Sequence, residues 1–81
     1  MILNGLKELT IGDKGRVMGF SKQGRAYRKR LLAMGLTPGT EFSIVRYAPL
    51  GDPVEITLRG FSLTLRKDEA DILSVEKLNA D

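Results

Sequence analysis

Residues 31–40 read LLAMGLTPGT, and this stretch predicts that a helix ends, the chain reverses and a strand begins. Gly35 can adopt the left-handed conformation that follows the last residue of many helices, and Leu36 can then fold back onto Leu31. Pro38 cannot continue a helix, and together with the glycine after it forms a turn. We therefore expect one helix before this stretch and short strands after it, which the helix can cover.

The helix predicted before this turn spans residues 25–34. Tyr27, Leu31 and Met34 recur at the spacing that places apolar side chains in one stripe on a helix. Ser21 precedes the helix as a candidate N-cap. The residues that point away from the stripe are Arg25, Arg28, Lys29 and Leu32. Such a face ordinarily meets solvent, but an apolar residue among cations is also what a partner surface can bury.

Alternating apolar and polar residues predict three strands after the turn. The first spans residues 40–47 and ends at the sequence APLGDP, residues 48–53. Its two prolines exclude a central strand and predict a stiff loop. Residues 54–65 then alternate strictly on both sides of an Arg-Gly pair, which predicts a hairpin with one apolar and one polar face. This hairpin is the clearest pattern in the chain.

The amino-terminal segment carries three leucines ahead of a turn punctuated by glycines. Leu3, Leu6 and Leu9 have a spacing that suits either a helical turn or a lid over an open barrel end. Residues 16–20 follow as a short strand, and Gly19 inside it predicts a bulge or a close backbone approach.

The carboxyl-terminal segment predicts one helical turn at residues 66–71, a last short strand at 72–75 and a frayed tail at 79–81. Five short strands and one α-helix describe a mainly β, SH3-like, partly open barrel, which hides most strand edges. We expect a single domain over residues 1–81, with its core at about residues 6–77.

Composition narrows the function classes. The chain has 81 residues, a net charge of +3 and a pI near 9.5, so an acidic partner is compatible with it. It contains neither histidine nor cysteine. The usual acid–base pairs, nucleophile pairs and tight transition-metal ligands are therefore missing, and no glycine-rich phosphate loop is present. We expect no enzyme, no catalytic residues, no metal site and no cofactor.

No apolar run approaches the roughly 20 residues of a membrane span. The amino terminus also lacks the basic and then apolar segment of a secretory signal. Both observations predict a cytoplasmic protein without membrane insertion, and the lack of cysteine fits a reducing compartment.

Three stretches of this sequence resemble the FeoA family of bacterial ferrous iron uptake. They are RLLAMGLTPGT at residues 30–40, APLGDP at 48–53 and LRKDEA at 65–70. The resemblance extends from about Leu6 to Val75. It implies an SH3-like barrel and a partner in FeoB, the membrane iron transporter that has a cytoplasmic GTP-binding domain. The same barrel resembles the carboxy-terminal domain of iron-dependent repressors, but these 81 residues include no DNA-binding helical domain, so we expect a free-standing domain.

The residues that we expect to bind the cytoplasmic part of such a transporter form two groups. The first is the outer face of the helix, with Arg25, Arg28, Lys29 and Leu32. The second is the stiff loop, with Pro49, Leu50, Gly51 and Asp52. A proline-stiffened loop lowers the ordering cost of an apolar anchor such as Leu50. In the alternative, Leu50 packs inward and the two prolines only shape the hairpin.

Three other roles stay open from the sequence. Arg25 or Arg28 could act as an arginine finger towards the GTP-binding domain. The basic residues, including Arg30, could bind nucleic acid, although Tyr27 and Tyr47 are the only aromatics left for stacking and we expect no nucleic acid partner. Direct iron sensing is a third role, which the lack of His and Cys disfavours. Oligomeric state, and whether transport is activated or restrained, do not follow from the sequence.

Overall fold

The computed structural model describes residues 2–78, with Gln23 described by its backbone alone. Within that range it holds six β-strands, two short α-helices and a 3-10 turn at Lys22–Gly24. The strands are β1 (Ile2–Asn4), β2 (Lys14–Phe20), β3 (Glu41–Tyr47), β4 (Val54–Leu58), β5 (Phe61–Leu65) and β6 (Leu73–Leu78). The helices are α1 (Arg25–Ala33) and α2 (Lys67–Ala70). The tail expected to fray, residues 79–81, lies outside the described residues.

The strands form one antiparallel sheet in the order β1-β6-β2-β3-β4-β5. β1 and β5 lie at its two edges and do not pair with each other, so the sheet curls without closing. The expected mainly β, SH3-like, partly open architecture is confirmed. The expected number of five strands is wrong, because Ile2–Asn4 pairs with β6, and a three-residue strand is too short to show an alternating pattern.

The stretch at residues 31–40 ends α1 as expected. Gly35 has a φ of 95°, in the left-handed region. Its N–H donates to the Leu32 carbonyl at 3.0 Å, and the Leu36 N–H donates to the Leu31 carbonyl at 3.0 Å. These two bonds are the Schellman pair, which satisfies carbonyls that the end of a helix leaves free. Leu31 and Leu36 are both fully buried in the core.

The start of α1 differs from the expected capping. Ser21 is not its N-cap: the helix follows the 3-10 turn directly, its N-cap is Gly24, and no side chain caps it. The Gly24 N–H instead donates to the Ser21 carbonyl at 3.1 Å. The bulge expected at Gly19 is confirmed, because the register between β2 and β6 shifts between Val17 and Gly19.

Leu6 and Leu9 close one end of the barrel. Both are buried in the core, as a lid requires, whereas Leu3 lies on β1. The segment from Leu6 to Leu9 is a single hydrogen-bonded turn, with the Leu9 N–H donating to the Leu6 carbonyl at 2.9 Å, and it does not continue as a helix. Tyr47 anchors this turn, because its Oη lies 2.7 Å from the Leu6 carbonyl oxygen and 2.6 Å from the Leu9 carbonyl oxygen.

Candidate partner-binding site

A groove of about 530 Å³ lies between the start of α1, the end of β2 and the turn after α1. We call it the helix groove. Its lining includes Phe20, Lys22, Arg25, Arg28, Leu32 and Pro38. Three of the four residues expected on the outer face of α1 therefore converge on one concave surface. Lys29, the fourth, is exposed on α1 and does not line the groove.

The position of α1 is set by a close approach at its N-cap, Gly24. Gly24 is buried, and a Cβ atom there would overlap the side chain of Ile72. The Ser21 N–H donates to the Ile72 carbonyl at 2.7 Å, which ties the 3-10 turn to the chain just before β6. Because Gly24 has no side chain, the helix can begin directly against Ile72 and leave its basic face turned towards Phe20.

Phe20 supplies the aromatic part of the groove. It is half-buried at the end of β2, just before the 3-10 turn. The Arg28 guanidinium carbon lies 5.8 Å from the centre of the Phe20 ring, within range of a cation–π interaction. This contact places the exposed Arg28 side chain beside the aromatic lining of the groove.

Leu32 and Pro38 complete the apolar lining. Leu32 is half-buried in the last turn of α1, and Pro38 is exposed in the turn that follows. The helix stop therefore has a second consequence, since it brings Pro38 back to the face of the helix that carries Leu32.

The charges of the helix groove are unbalanced. Among residues 2–78, no ion pair includes Lys22, Arg25 or Arg28, and the lining contains no carboxylate. The ion pairs elsewhere are Arg16–Glu41, Arg16–Glu76, Arg30–Glu69, Arg46–Glu55 and Lys77–Asp13. A groove with cations at its rim and an apolar lining is complementary to an acidic segment that presents an apolar side chain.

Arg30 differs from its neighbours on α1. Its Nη1 lies 3.4 Å from Oε2 of Glu69, which is buried in α2. The other carboxylate oxygen of Glu69 accepts the backbone N–H of Arg66 at 3.0 Å. Arg30 therefore joins the two helices, which leaves it less available for a phosphate group than the nucleic acid alternative requires.

The loop at residues 48–53, the proline loop, presents Leu50 at its tip. The Leu50 side chain is 96% exposed, so the alternative in which it packs inward is wrong. The loop is held by two hydrogen bonds, from the Gly51 N–H to the Ala48 carbonyl at 2.7 Å and from the Ala48 N–H to the Pro53 carbonyl at 2.9 Å. Pro49 and Gly51 are exposed beside Leu50.

Asp52 in the same loop has a structural contact. Its Oδ1 accepts the backbone N–H of Lys67 at 2.8 Å, at the first residue of α2. The carboxylate fastens the loop to α2, where a negative charge also interacts favourably with the helix start.

The two groups of expected site residues do not meet in one pocket. α1 leads the chain into the start of β3, whereas the proline loop follows the end of β3. The helix groove also contains residues that sequence reasoning missed, namely Phe20, Lys22 and Pro38. Phe20 has a local signal, a large aromatic at the junction of a strand and a basic helix, but its contact with Arg28 depends on the fold.

Neither helix within residues 2–78 is long and apolar enough to cross a membrane. In the same part of the chain, no three carboxylates gather in a way that could hold a metal ion.

Comparison with known proteins identifies the family. An FeoA domain model matches residues 5–77. A relative from Porphyromonas gingivalis, an Fe(2+) transport protein A/Fe(2+) transporter FeoB fusion protein, is 33% identical over 76 residues. These residues make up 94% of this chain and 9% of the fusion protein, so the chain spans less than a tenth of that relative.

Similar solved structures lead to the same family. An NMR structure of an FeoA-like protein from Clostridium acetobutylicum is 42% identical, has a TM-score of 0.83, and the match covers 95% of this chain and 88% of that one. A manganese-dependent transcriptional repressor has a TM-score of 0.82 at 15% identity, covering 93% of this chain and 41% of the repressor, which shows a shared fold alone. The match over residues 5–77 and the 42% identity together show that this chain belongs to the FeoA family of ferrous iron transport proteins.

Proposed function

We propose that this chain is a non-enzymatic accessory protein of ferrous iron uptake. In this role it docks on the cytoplasmic part of an FeoB-type membrane transporter and modulates its activity or assembly. The observation that carries the proposal is the fusion relative, in which a region similar to 94% of this chain belongs to the same polypeptide as an FeoB transporter. Covalent fusion raises the effective concentration of one module near the other, and it is useful where the two act together.

The helix groove is the docking surface that we propose. Its unpaired Lys22, Arg25 and Arg28 and its apolar Phe20 and Leu32 suit an acidic segment with an apolar anchor. Phe20 is half-buried beneath the guanidinium of Arg28, which makes its ring a poor platform for a nucleic acid base. An acidic protein segment therefore fits this groove better than RNA or DNA does.

A binding measurement with the purified cytoplasmic region of an FeoB-type transporter tests the groove. We expect Arg25→Glu to weaken binding about tenfold or more, since reversing a charge that faces carboxylates costs on the order of 1–2 kcal/mol. Lys29→Glu is the matched control, because it makes the same charge change on the same helix outside the groove. Equal losses from both variants, or none from either, would contradict docking in the groove.

The proline loop is tested in the same assay. Leu50→Arg should leave the fold unchanged, because the Leu50 side chain is 96% exposed. If the loop is a second contact, this variant binds more weakly than the wild type. Unchanged binding removes the loop from the interface.

Two assays separate the alternatives. A salt-dependent gel shift with RNA and DNA tests nucleic acid binding, which should be strong at low salt and fall steeply as salt rises. GTP hydrolysis by the transporter region, with and without this chain, tests the arginine finger. Acceleration that Arg25→Ala abolishes at a concentration where the variant is still bound to the transporter region would favour a finger over simple docking.

A further inference from the structure

The outer edge of β5 is an unpaired strand edge. β5 pairs with β4 on one side and is the last strand of the sheet, so within residues 2–78 no strand lies on its other side. Its sequence, FSLTL at residues 61–65, contains no charge and no proline. Proteins commonly protect such edges with charged residues, prolines or a covering loop. The described structure shows Phe61, Ser62 and Thr64 exposed along this edge.

The pairing with β4 determines which backbone groups the edge presents. Leu58 pairs with Phe61 across a two-residue turn, and Ile56 pairs with Leu63. In an antiparallel hairpin with such a turn, the closing pair exchanges both hydrogen bonds, and this repeats at every second pair. The N–H and C=O groups of Phe61 and Leu63 are therefore directed to β4. Those of Ser62 and Thr64 are directed outwards.

The core-facing side of the edge is only partly covered at its Phe61 end. Leu58 is 2% exposed, whereas Phe61, its neighbour on the same face, is 45% exposed. Leu63 on this face is half-buried, and the hydroxyl side chain of Ser62 faces the opposite side. A further strand placed here would bury apolar side chains beside Phe61 and Leu63, and polar ones beside Ser62.

A cation stands at the start of the edge. Arg59 lies in the hairpin turn with a φ of 51°, which glycine and asparagine adopt more readily than arginine. Its Nη2 donates to Oγ1 of Thr40 at 3.2 Å, and among residues 2–78 no ion pair includes it. Positive φ at both turn residues is what a two-residue hairpin turn requires, and the turn places the Arg59 cation next to the first residue of the edge.

We propose that the β5 edge accepts an extended segment of a partner protein as an added antiparallel strand. The segment has apolar residues at alternate positions, and a carboxylate beyond its last apolar residue meets Arg59. The outward N–H and C=O groups of Ser62 and Thr64 hold its backbone, and Phe61 and Leu63 pack on its apolar side chains.

A second copy of this chain fits the edge less well. Antiparallel pairing of two copies about Leu63 places Ser62 opposite Thr64, but it also brings the Arg59 end of each strand towards the end of the other that leads into Arg66 and Lys67. The charged residues that flank the edge are then all cations, and like charges brought together are unfavourable.

The probe is a capped seven-residue peptide in which three valines alternate with two threonines and two glutamates close the carboxyl end. It is added to the full chain labelled with nitrogen-15, and amide hydrogen exchange is followed by NMR. With peptide bound, we expect the amides of Ser62 and Thr64 to exchange at least about tenfold more slowly than in the free chain. Those of Phe61 and Leu63, already bonded to β4, should change little.

Two pairs of variants locate the contact. Thr64→Pro removes the outward N–H without touching the bonds to β4, a position where an edge strand tolerates proline, and Thr64→Ala keeps that N–H. We expect the proline variant to lose at least about tenfold in peptide affinity and the alanine variant to keep it. Arg59→Asn should weaken binding of this peptide but not of one with glutamines in place of the glutamates.

Three outcomes would overturn the proposal. The first is an absence of protection at Ser62 and Thr64 in the wild type at millimolar peptide, a test that does not depend on any variant folding. The second is peptide binding that perturbs the helix groove instead. The third is protection of these amides in the free chain that rises with protein concentration, which would assign the edge to a second copy. None of these outcomes bears on docking to the transporter, because the peptide is tested against this chain alone.

Discussion

Tyr47 shows how much one hydroxyl can hold together in a small barrel. It is the last residue of β3, and its Oη contacts the carbonyl oxygens of Leu6 and Leu9 in the segment that closes the barrel end. Burial raises the pKa of Tyr47 above its ordinary value of 10.0, and the negative charge of Asp13 adds to the shift. The protonated hydroxyl is therefore the form that the folded state favours.

We predict that Tyr47→Phe lowers the free energy of unfolding by about 1–2 kcal/mol, because it removes the one hydroxyl proton that the carbonyl groups of Leu6 and Leu9 share. Wild-type stability should also fall as the pH rises above 10, since the unfolded tyrosine ionises before the folded one does. Urea unfolding between pH 7 and 11 checks both effects. Tyr27→Phe is the control, because within residues 2–78 no hydrogen bond involves the Tyr27 hydroxyl. Equal losses from both variants would contradict the role given to Tyr47.

Arg28 and Arg30, two residues apart on α1, have different roles. Arg28 lies over Phe20 in the helix groove, whereas Arg30 reaches the buried Glu69 of α2. Residues two apart on a helix point to nearly opposite faces, so a run of basic residues is not one surface. Single substitutions along α1 should therefore separate docking from stability.

At the scale of elements, the end of α1 is the feature on which the candidate site depends. The Schellman pair at Gly35 and Leu36 stops the helix, buries Leu36 and returns Pro38 to the groove. Only the conformation of Gly35 demands glycine there, because a Cβ would meet nothing nearer than 3.8 Å, at Leu58. Its substitution therefore isolates the cost of the left-handed backbone.

We predict that Gly35→Ala destabilises the protein by about 1 kcal/mol, the usual cost of placing a Cβ in that conformation. Gly19→Ala is the matched control, since Gly19 has no positive φ and a Cβ there has open space around it. Thermal unfolding of the two variants checks the difference. A loss at Gly19 as large as that at Gly35 would mean that the conformation of Gly35 is not what matters.

At the scale of the whole molecule, one small core supports every element. This core contains side chains from the sheet, from the end of α1 (Leu31 and Leu36) and from the lid (Leu6 and Leu9). The free energy of unfolding of a folded protein is roughly 5–15 kcal/mol, and a domain of this size lies at or below the lower end of that range. Each large buried side chain therefore contributes a large fraction of the total stability. The lid is therefore part of the fold and not an appendage.

We predict that Leu6→Ala lowers the free energy of unfolding by about 2–5 kcal/mol, because it leaves a cavity at the closed end of the barrel. Ile11→Ala is the control from the same segment, since Ile11 is 66% exposed and its loss should cost little. Denaturant unfolding of both variants, with the slope compared as well as the midpoint, checks this. Similar midpoints for the two variants would exclude the lid as part of the core.

Local sequence patterns were sufficient to predict many of the structural elements of this protein. The alternation at residues 54–65 predicted the hairpin, the glycines and the proline at 31–40 predicted the helix stop, and the prolines around Leu50 predicted a stiff loop. These features depend on the periodicity of neighbouring residues and on the backbone limits of glycine and proline, which act within a few residues of chain.

Tertiary structure alone decided which distant residues meet. β1 pairs with β6, Phe20 meets Arg28, Arg30 meets Glu69, and β5 is left as an open edge. None of these contacts follows from periodicity, because each depends on how separate elements pack to bury one shared core. Local patterns in the sequence thus determined most elements of this FeoA-family chain, and packing determined the groove and the edge that we propose as partner surfaces.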